Sequence, residues 1–250
     1  MVRSNGRLVS YALVIVIVGF LVFLHEIGHY VVARMMGLPI GRFSLGVGPR
    51  LLSYTMGGTE YRLSLIPFGG YVLPRMRDAR EFFAQPAMHR LAFALGGPAA
   101  NLLVAVAGFA VFNVMMHGLS WQAVFLAPIE QTIAATATVV RVVPSLFSDG
   151  SPSVSGLVGV VADGGDFIGL DALLALQFAI MMSVNLAVLN LLPIPPLDGG
   201  KAVLCALERV HAKAYLLQIP LNVAGLFAIA GYVGYATAHD LRRLISAVLL

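Results

Sequence analysis

Long apolar runs separated by short polar stretches dominate the chain. Four of them, Leu8 to Met36, Leu91 to Met116, Ala172 to Leu192 and Tyr215 to Thr237, are long enough for a helix to cross a bilayer, which takes about 20 apolar residues. A different period governs the first connection. Between Thr59 and Ile66, Tyr61, Leu63 and Leu65 alternate with Glu60, Arg62 and Ser64, and Gly57-Gly58 separates this stretch from Leu51 to Met56. Such alternation around a glycine pair predicts a hairpin within a β element covering about 42–72, which Pro67, Gly69 and Gly70 are expected to stop. For a loop the element is strongly apolar, so it is expected to dip into the membrane where protein or water satisfies its edges. A hairpin lying on the membrane surface is the alternative. The outer connection, about 118–170, opens with an apolar to amphipathic helix from Trp121 to Val143 and continues in a loop rich in Ser, Gly and Asp. The expected fold class is an all-α polytopic membrane protein of about four transmembrane helices with a small membrane-reentrant β-hairpin or sheet. It is read as one domain over 1–250, with spans at about 8–36, 91–116, 172–192 and 215–237.

Composition sharpens this picture. Of the 250 residues, 59% are hydrophobic and 11% charged, which nearly excludes a soluble enzyme. The formal charge of +4 raises the question of nucleic acid, but the arginines flank the apolar runs, as the positive-inside rule requires. Basic residues crowd the first connection (Arg34, Arg42, Arg50, Arg62, Arg75, Arg77, Arg80, Arg90) and recur at Lys201, Arg209 and Lys213, whereas the outer connection carries only Arg141. This bias places 37–90 and 198–214 in the cytoplasm and both termini outside, with no nucleic-acid partner expected. The apolar stretch after Arg3 and Arg7 outruns the 7–15 residues of a signal core and lacks a clear small-residue cleavage site, so it is read as a retained first span. Cys205 is the single cysteine. No thiolate pair is available, and any metal must be held by His, Asp or Glu.

The first span contains His25-Glu26-Ile27-Gly28-His29, an H-E-x-x-H pattern. Residues four apart share a helix face, so both imidazoles reach one tetrahedral ion while Glu26 stands beside the bound water, the geometry of a zinc hydrolase. Ionisable groups inside an apolar span are costly unless paired or ligated, which makes them functional by default. A structural polar cluster between helices is the bland alternative. With Leu8 at the outer boundary, His25 lies about 25 Å along the helix in a layer about 30 Å thick, in its inner third. A catalytic zinc usually takes a third protein ligand. His89, His117, His211 and His239 fall in loops, at the outer end of the second span or in the tail, which leaves Asp198 as the best candidate. It closes the segment Asn190 to Gly200, where Pro193, Pro195 and Pro196 bend or end the helix and Gly199-Gly200 allows a tight turn. Alternatively, Asp198 caps the helix that follows.

These stretches, together with Thr59-Glu60-Tyr61, Pro67 to Val72, Gly97-Pro98-Ala99-Ala100-Asn101 and Ser183-Val184-Asn185, resemble the site-2 protease family of intramembrane zinc metalloproteases (M50 type). Within it they are most similar to the bacterial regulator of sigma-E protease group. The resemblance implies that His25, His29 and Asp198 bind Zn2+ and that Glu26 is the general base. It also implies that the Thr59 to Val72 region, with Tyr61, Leu63 and Leu65 on its strand, is a membrane-reentrant element that receives substrate as an added strand. Asn190, with Pro193 and Pro195, would hold substrate or shape the cleft. Asn101 and Asn185 are weaker carry-overs that serve equally well as hydrogen-bond glue between helices. The implied activity is cleavage of peptide bonds within or near the transmembrane segments of single-span proteins, as in regulated intramembrane proteolysis, in a bacterial inner membrane. A metal transporter or a non-catalytic metal-binding scaffold is the alternative. The outer connection is too short for the PDZ domains usual in that group, so substrate selection must differ. Oligomeric state is not readable.

Overall fold

The computed structural model describes residues 2–76, 79–144, 156–208, 210–211 and 214–249. The elements in order are α1 (Val2–Met35), β1 (Ile40–Met56), β2 (Thr59–Pro74), α2 (Ala79–Phe83), α3 (Ala87–His117), α4 (Ala127–Val142), α5 (Leu157–Ile168), α6 (Ala172–Leu191), α7 (Asp198–Leu207) and α8 (Gln218–Leu249). A π-helical turn, Gln122–Leu126, leads into α4, and a 3₁₀ turn, Ala214–Leu217, leads into α8. Five helical stretches among the described residues are long and apolar enough to cross a membrane: Gly6–Met35, Ala87–His117, Gln122–Val142, Ala172–Leu191 and Gln218–Arg243. The protein is an integral membrane protein. Four of these match the expected spans. The fifth, Gln122–Val142, falls on the stretch expected to form an outer amphipathic helix, and it is long and apolar enough to cross as well.

The chain divides into two compact units. The first comprises 1–17, 105–185 and 225–250, the second 18–104 and 186–224. In the first unit, α5 has no capping side chain of its own at Gly156. Instead α8 caps it: Thr237 Oγ1 accepts from Leu157 N at 3.3 Å and the buried Asp240 accepts from Gly159 N at 2.9 Å. Arg243 then pairs with Asp163 at 2.6 Å, so α5 and α8 run side by side in the same chain direction. Asp171 begins α6 by accepting from Leu173 N and Leu174 N, satisfying two of the donors a helix start leaves free. Asn113 and Gln131 exchange amide hydrogen bonds of 2.9 and 3.2 Å.

The second unit contains the sheet. Gly57 and Gly58, at φ of 57° and 79°, make the turn between its strands, the backbone that a two-residue hairpin favours. Beyond the turn, Arg50 to Met56 pair antiparallel with Ser64 to Thr59. β2 does not stop at Pro67–Gly70 as expected. It bends and continues to Pro74, so the start of β1 takes partners from both of its halves: Phe43 stands opposite Val72 and Tyr61, and Leu45 opposite Gly70 and Leu63. Residues 60–63 are consequently flanked on both sides, by 42–45 and by 52–55, whereas Gly70 to Leu73 have β1 on one side only. Ala33, Leu38, Ile40, Phe43, Val72 and Phe93 form the buried core where the end of α1, the sheet and the start of α3 meet. Phe43 sits edge-on to Phe23 and Tyr30.

A buried ion pair ties α3 to the end of α7. Arg90 Nη1 donates to Glu208 Oε1 at 2.8 Å, Nη2 donates to Oε2, and Nε donates to the Gln85 carbonyl at 3.2 Å. The Arg90 side chain is 3% exposed and that of Glu208 12%. Removing one member of such a pair strands the other charge and costs roughly 3–5 kcal/mol, more than exchanging both for apolar residues. Glu208→Ala is therefore expected to lower the unfolding midpoint in detergent clearly, and Arg90→Met combined with Glu208→Leu to restore much of the loss. Thermal unfolding of the three proteins side by side checks this.

Candidate metal centre

α1 supplies three groups. His25 and His29 project from one face, with ring centroids 4.8 Å apart, and both are buried, as is Glu26. The fourth group arrives from α7. After Leu191 the proline-rich turn reverses the chain and Asp198 opens α7, while Leu197 occupies the cap position, so the capping role considered for Asp198 does not apply. Gly199 makes this delivery possible, since a Cβ there would lie 2.1 Å from the Leu191 carbonyl oxygen.

The donor atoms converge closely. Asp198 Oδ2 lies 3.1 Å from Nε2 of His25 and 3.1 Å from Nε2 of His29, and the two nitrogens are 3.2 Å apart. Ligands held 2.0–2.1 Å from a tetrahedral zinc ion stand about 3.3 Å from one another, so the triangle has the right size. The surrounding bonds fix its chemistry. His29 Nδ1 lies 2.7 Å from the Phe93 carbonyl, which can only accept, so this nitrogen carries the proton and Nε2 presents a lone pair. His25 Nδ1 lies 3.2 Å from the side-chain amide of Asn101. With Nε2 as ligand, Nδ1 donates and the amide turns its oxygen toward it, an orientation of the same shape as its reverse. Lys201 Nζ donates to Asp198 Oδ1 at 2.9 Å, leaving Oδ2 for the imidazoles. Converging lone pairs of this kind repel unless a cation lies between them. Partners on the far atoms of each ligand are the usual way of orienting a metal's donors.

Glycine keeps this space open. A Cβ on Gly97 of α3 would fall 2.4 Å from His29 Nε2 and 2.5 Å from His25 Nε2, and one on Gly70 would fall 2.6 Å from Glu26 Cγ. His25, Glu26, His29 and Asp198 border a cavity of about 280 Å3 that the edge of β2 from Gly70 to Leu73 also lines. Asn190 borders it too, its amide donating to the Leu186 carbonyl at 2.9 Å. The other sequence candidates stand elsewhere. Pro196 and Leu197 line this cavity, whereas Pro193 and Pro195 are not among its lining residues. Tyr61 and Leu63 border a separate groove with Phe23 and Phe43, and the Tyr61 hydroxyl is bonded to that of Tyr30 at 2.9 Å. Leu65 is exposed and lines neither. Sequence reasoning passed over Lys201 and Gly97. The first was signalled by its place three residues after Asp198 on one helix; the second opens the Gly97 to Asn101 stretch, which carried the resemblance without a role for this glycine.

Fold and site together define a polytopic membrane protein with a buried H-E-x-x-H and aspartate centre suited to zinc. The family model for peptidase family M50 matches residues 13–230, and the chain belongs to that family. Among its relatives are candidate zinc metalloproteases of Chlamydia pneumoniae, 36% identical over 121 residues covering 42% of this chain and 20% of the relative, and of Brucella suis biovar 1, 37% identical over 127 residues covering 43% and 33%. Another, from Agrobacterium fabrum, is 24% identical over an alignment of 373 positions that takes in 97% of this chain and 98% of the relative. The stretch matched in the first two spans only a fifth to a third of their length.

Because a Cβ on Gly97 would crowd both imidazole nitrogens, at 2.4 and 2.5 Å, Gly97→Ala is expected to abolish bound zinc in a protein that still folds. Metal content by mass spectrometry, alongside the unfolding midpoint, measures this.

Proposed function

We propose that the protein is an intramembrane zinc endoprotease that cleaves single-span membrane proteins within or near their transmembrane segment, as in regulated intramembrane proteolysis. The observation that carries the reading is the approach of Asp198 to both imidazoles beside a buried Glu26 that the same cavity exposes to a ligand. His25, His29 and Asp198 hold the zinc. When bound, it lowers the pKa of water at the site toward about 7 and polarises a substrate carbonyl. Glu26 takes the proton from that water and returns it to the departing amine, so its carboxylate must face both. Contact with Gly70 limits where that carboxylate can go.

A helical substrate keeps its carbonyls hydrogen-bonded and must unwind to be cut. An extended segment beside the free edge Gly70 to Leu73 recovers some of the lost bonds within reach of Glu26. This edge replaces the 59–66 strand as the docking element, because residues 60–63 already have partners on both sides. Spans weakened by glycine are the preferred substrates. The setting is the inner membrane of a bacterium with the centre toward the cytoplasm. The basic first connection supports this side. Both termini on one side require an even number of crossings, so Gln122–Val142 is not counted as one in this reading; α5 supports the shared side, since Asp166 is 3.9 Å from Arg7 and Asp163 pairs with Arg243.

Purified Glu26→Gln protein is expected to keep its zinc and lose cleavage of a single-span test substrate by at least about a hundredfold, the usual scale for a general base. Asp198→Asn is expected to lose both metal and cleavage. Equal cleavage by wild type and Glu26→Gln refutes the proposal, as does a metal-free wild type that cleaves at full rate.

A further inference from the structure

A second cavity lies along the same strand edge. It measures about 260 Å3 and shares Val72, Leu73, Phe93 and Lys201 with the metal cavity. Pro74, Phe82, Ala94 and Cys205 complete its largely apolar wall, and Arg90 and Gln218 contribute polar groups. Arg90 is committed to Glu208 and to the Gln85 carbonyl. Gln218 is not committed in this way: it is 6% exposed, and its side-chain oxygen has no hydrogen-bond partner. That oxygen is closed to solvent, and leaving it unsatisfied is costly, so a ligand in the chamber that draws the amide round to itself supplies the missing bond.

We propose that this chamber is a specificity subsite that receives one side chain of the extended substrate, and that it favours tyrosine. The inference rests on the protease reading and names the substrate feature that reading leaves open. The chamber borders Leu73 and Pro74, whereas the metal cavity borders Gly70 to Leu73. A strand lying along this edge with its scissile carbonyl near Glu26 therefore places a side chain within about two residues of the cut into the chamber, at a strand rise of about 3.3 Å per residue. Apolar walls take an aromatic ring. A phenolic hydroxyl both donates and accepts, so it satisfies the Gln218 amide whichever end the amide presents. A site whose polar group is left unpaired by the wrong ligand discriminates against that ligand more strongly than an apolar pocket does.

Two experiments on the full-length protein test this. In the first, a single-span substrate carries Tyr, Phe or Leu in turn at each of the two positions on either side of the cleaved bond. Wild type is expected to prefer Tyr over Phe by roughly tenfold at one position, the scale of one recovered hydrogen bond. Gln218→Leu is expected to bring that ratio to one or below. Because the ratio is taken within each variant, altered folding cancels. A ratio unchanged by Gln218→Leu, or no position with a tyrosine preference, overturns the proposal and assigns the amide to bound water alone. In the second, Cys205, the only cysteine of the chain, reports occupancy without turnover. In the Glu26→Gln background, substrates with one cysteine at successive positions are oxidised, and a disulfide to Cys205 is expected at the tyrosine-preferring position and not at its neighbours. Cross-linking with no wild-type cleavage of any substrate counts against the protease reading but upholds the subsite. Cleavage with cross-linking at no position or equally at all positions overturns the subsite alone.

Discussion

The arrangement depends on the cost of holding ionisable groups inside an apolar helix. His25, Glu26 and His29 are buried within a long apolar helix, and a span carrying them alone would insert poorly. What offsets that cost is the arrival of Asp198, with its Oδ2 3.1 Å from both imidazole nitrogens. Much of the second unit serves this meeting. α3 approaches α1 so closely that a Cβ on Gly28 would lie 2.2 Å from the Gly96 carbonyl oxygen, and the same contact brings the Phe93 carbonyl and Asn101 to the outer ring nitrogens. The Arg90–Glu208 pair then fixes the far end of the helix that Asp198 begins.

The parts of this centre that recur at helical spacing were legible in the chain. Two histidines four apart with a glutamate between them declare a shared face whatever the tertiary fold, and a proline-broken span ending in Asp-Gly-Gly declares where a carboxylate can turn inward. The outer partners were not legible. A backbone carbonyl such as that of Phe93 has no sequence signature, and Asn101 read equally well as glue between helices. Pairing was the other blind spot. Alternation identifies a strand but says nothing about how many neighbours it has, so Thr59 to Ile66 looked like an edge until the bend at Pro67–Gly70 folded β2 back along β1. The residues expected to break the strand only bend it, because a bend between two ladders needs a proline and glycines as much as a strand end does.

The fifth apolar stretch raises a related point. The Trp121 to Val143 stretch carries Gln122, Glu130, Gln131 and Arg141, which suggested a wet face. Gln131 is instead taken up by Asn113. A polar residue matched by a partner on a neighbouring helix adds little to the cost of insertion, and hydropathy patterns cannot see partners.

The short free edge sets how substrates can be held. Only alternate residues of an edge strand turn their N–H and C=O outward, and Pro74, where β2 ends, has no N–H to give. Gly70 to Leu73 thus offer a guest strand only a few main-chain bonds, each worth about 1 kcal/mol net. Bonds so few cannot unwind a stable transmembrane helix or distinguish one sequence from another. In the proposed reading, unwinding must come from weakness in the substrate's own helix, and discrimination from side chains that reach the cavities along the edge. Such an enzyme holds an intact span poorly and a partly opened one well, which confines cleavage to membrane proteins already loosened near the Glu26 level.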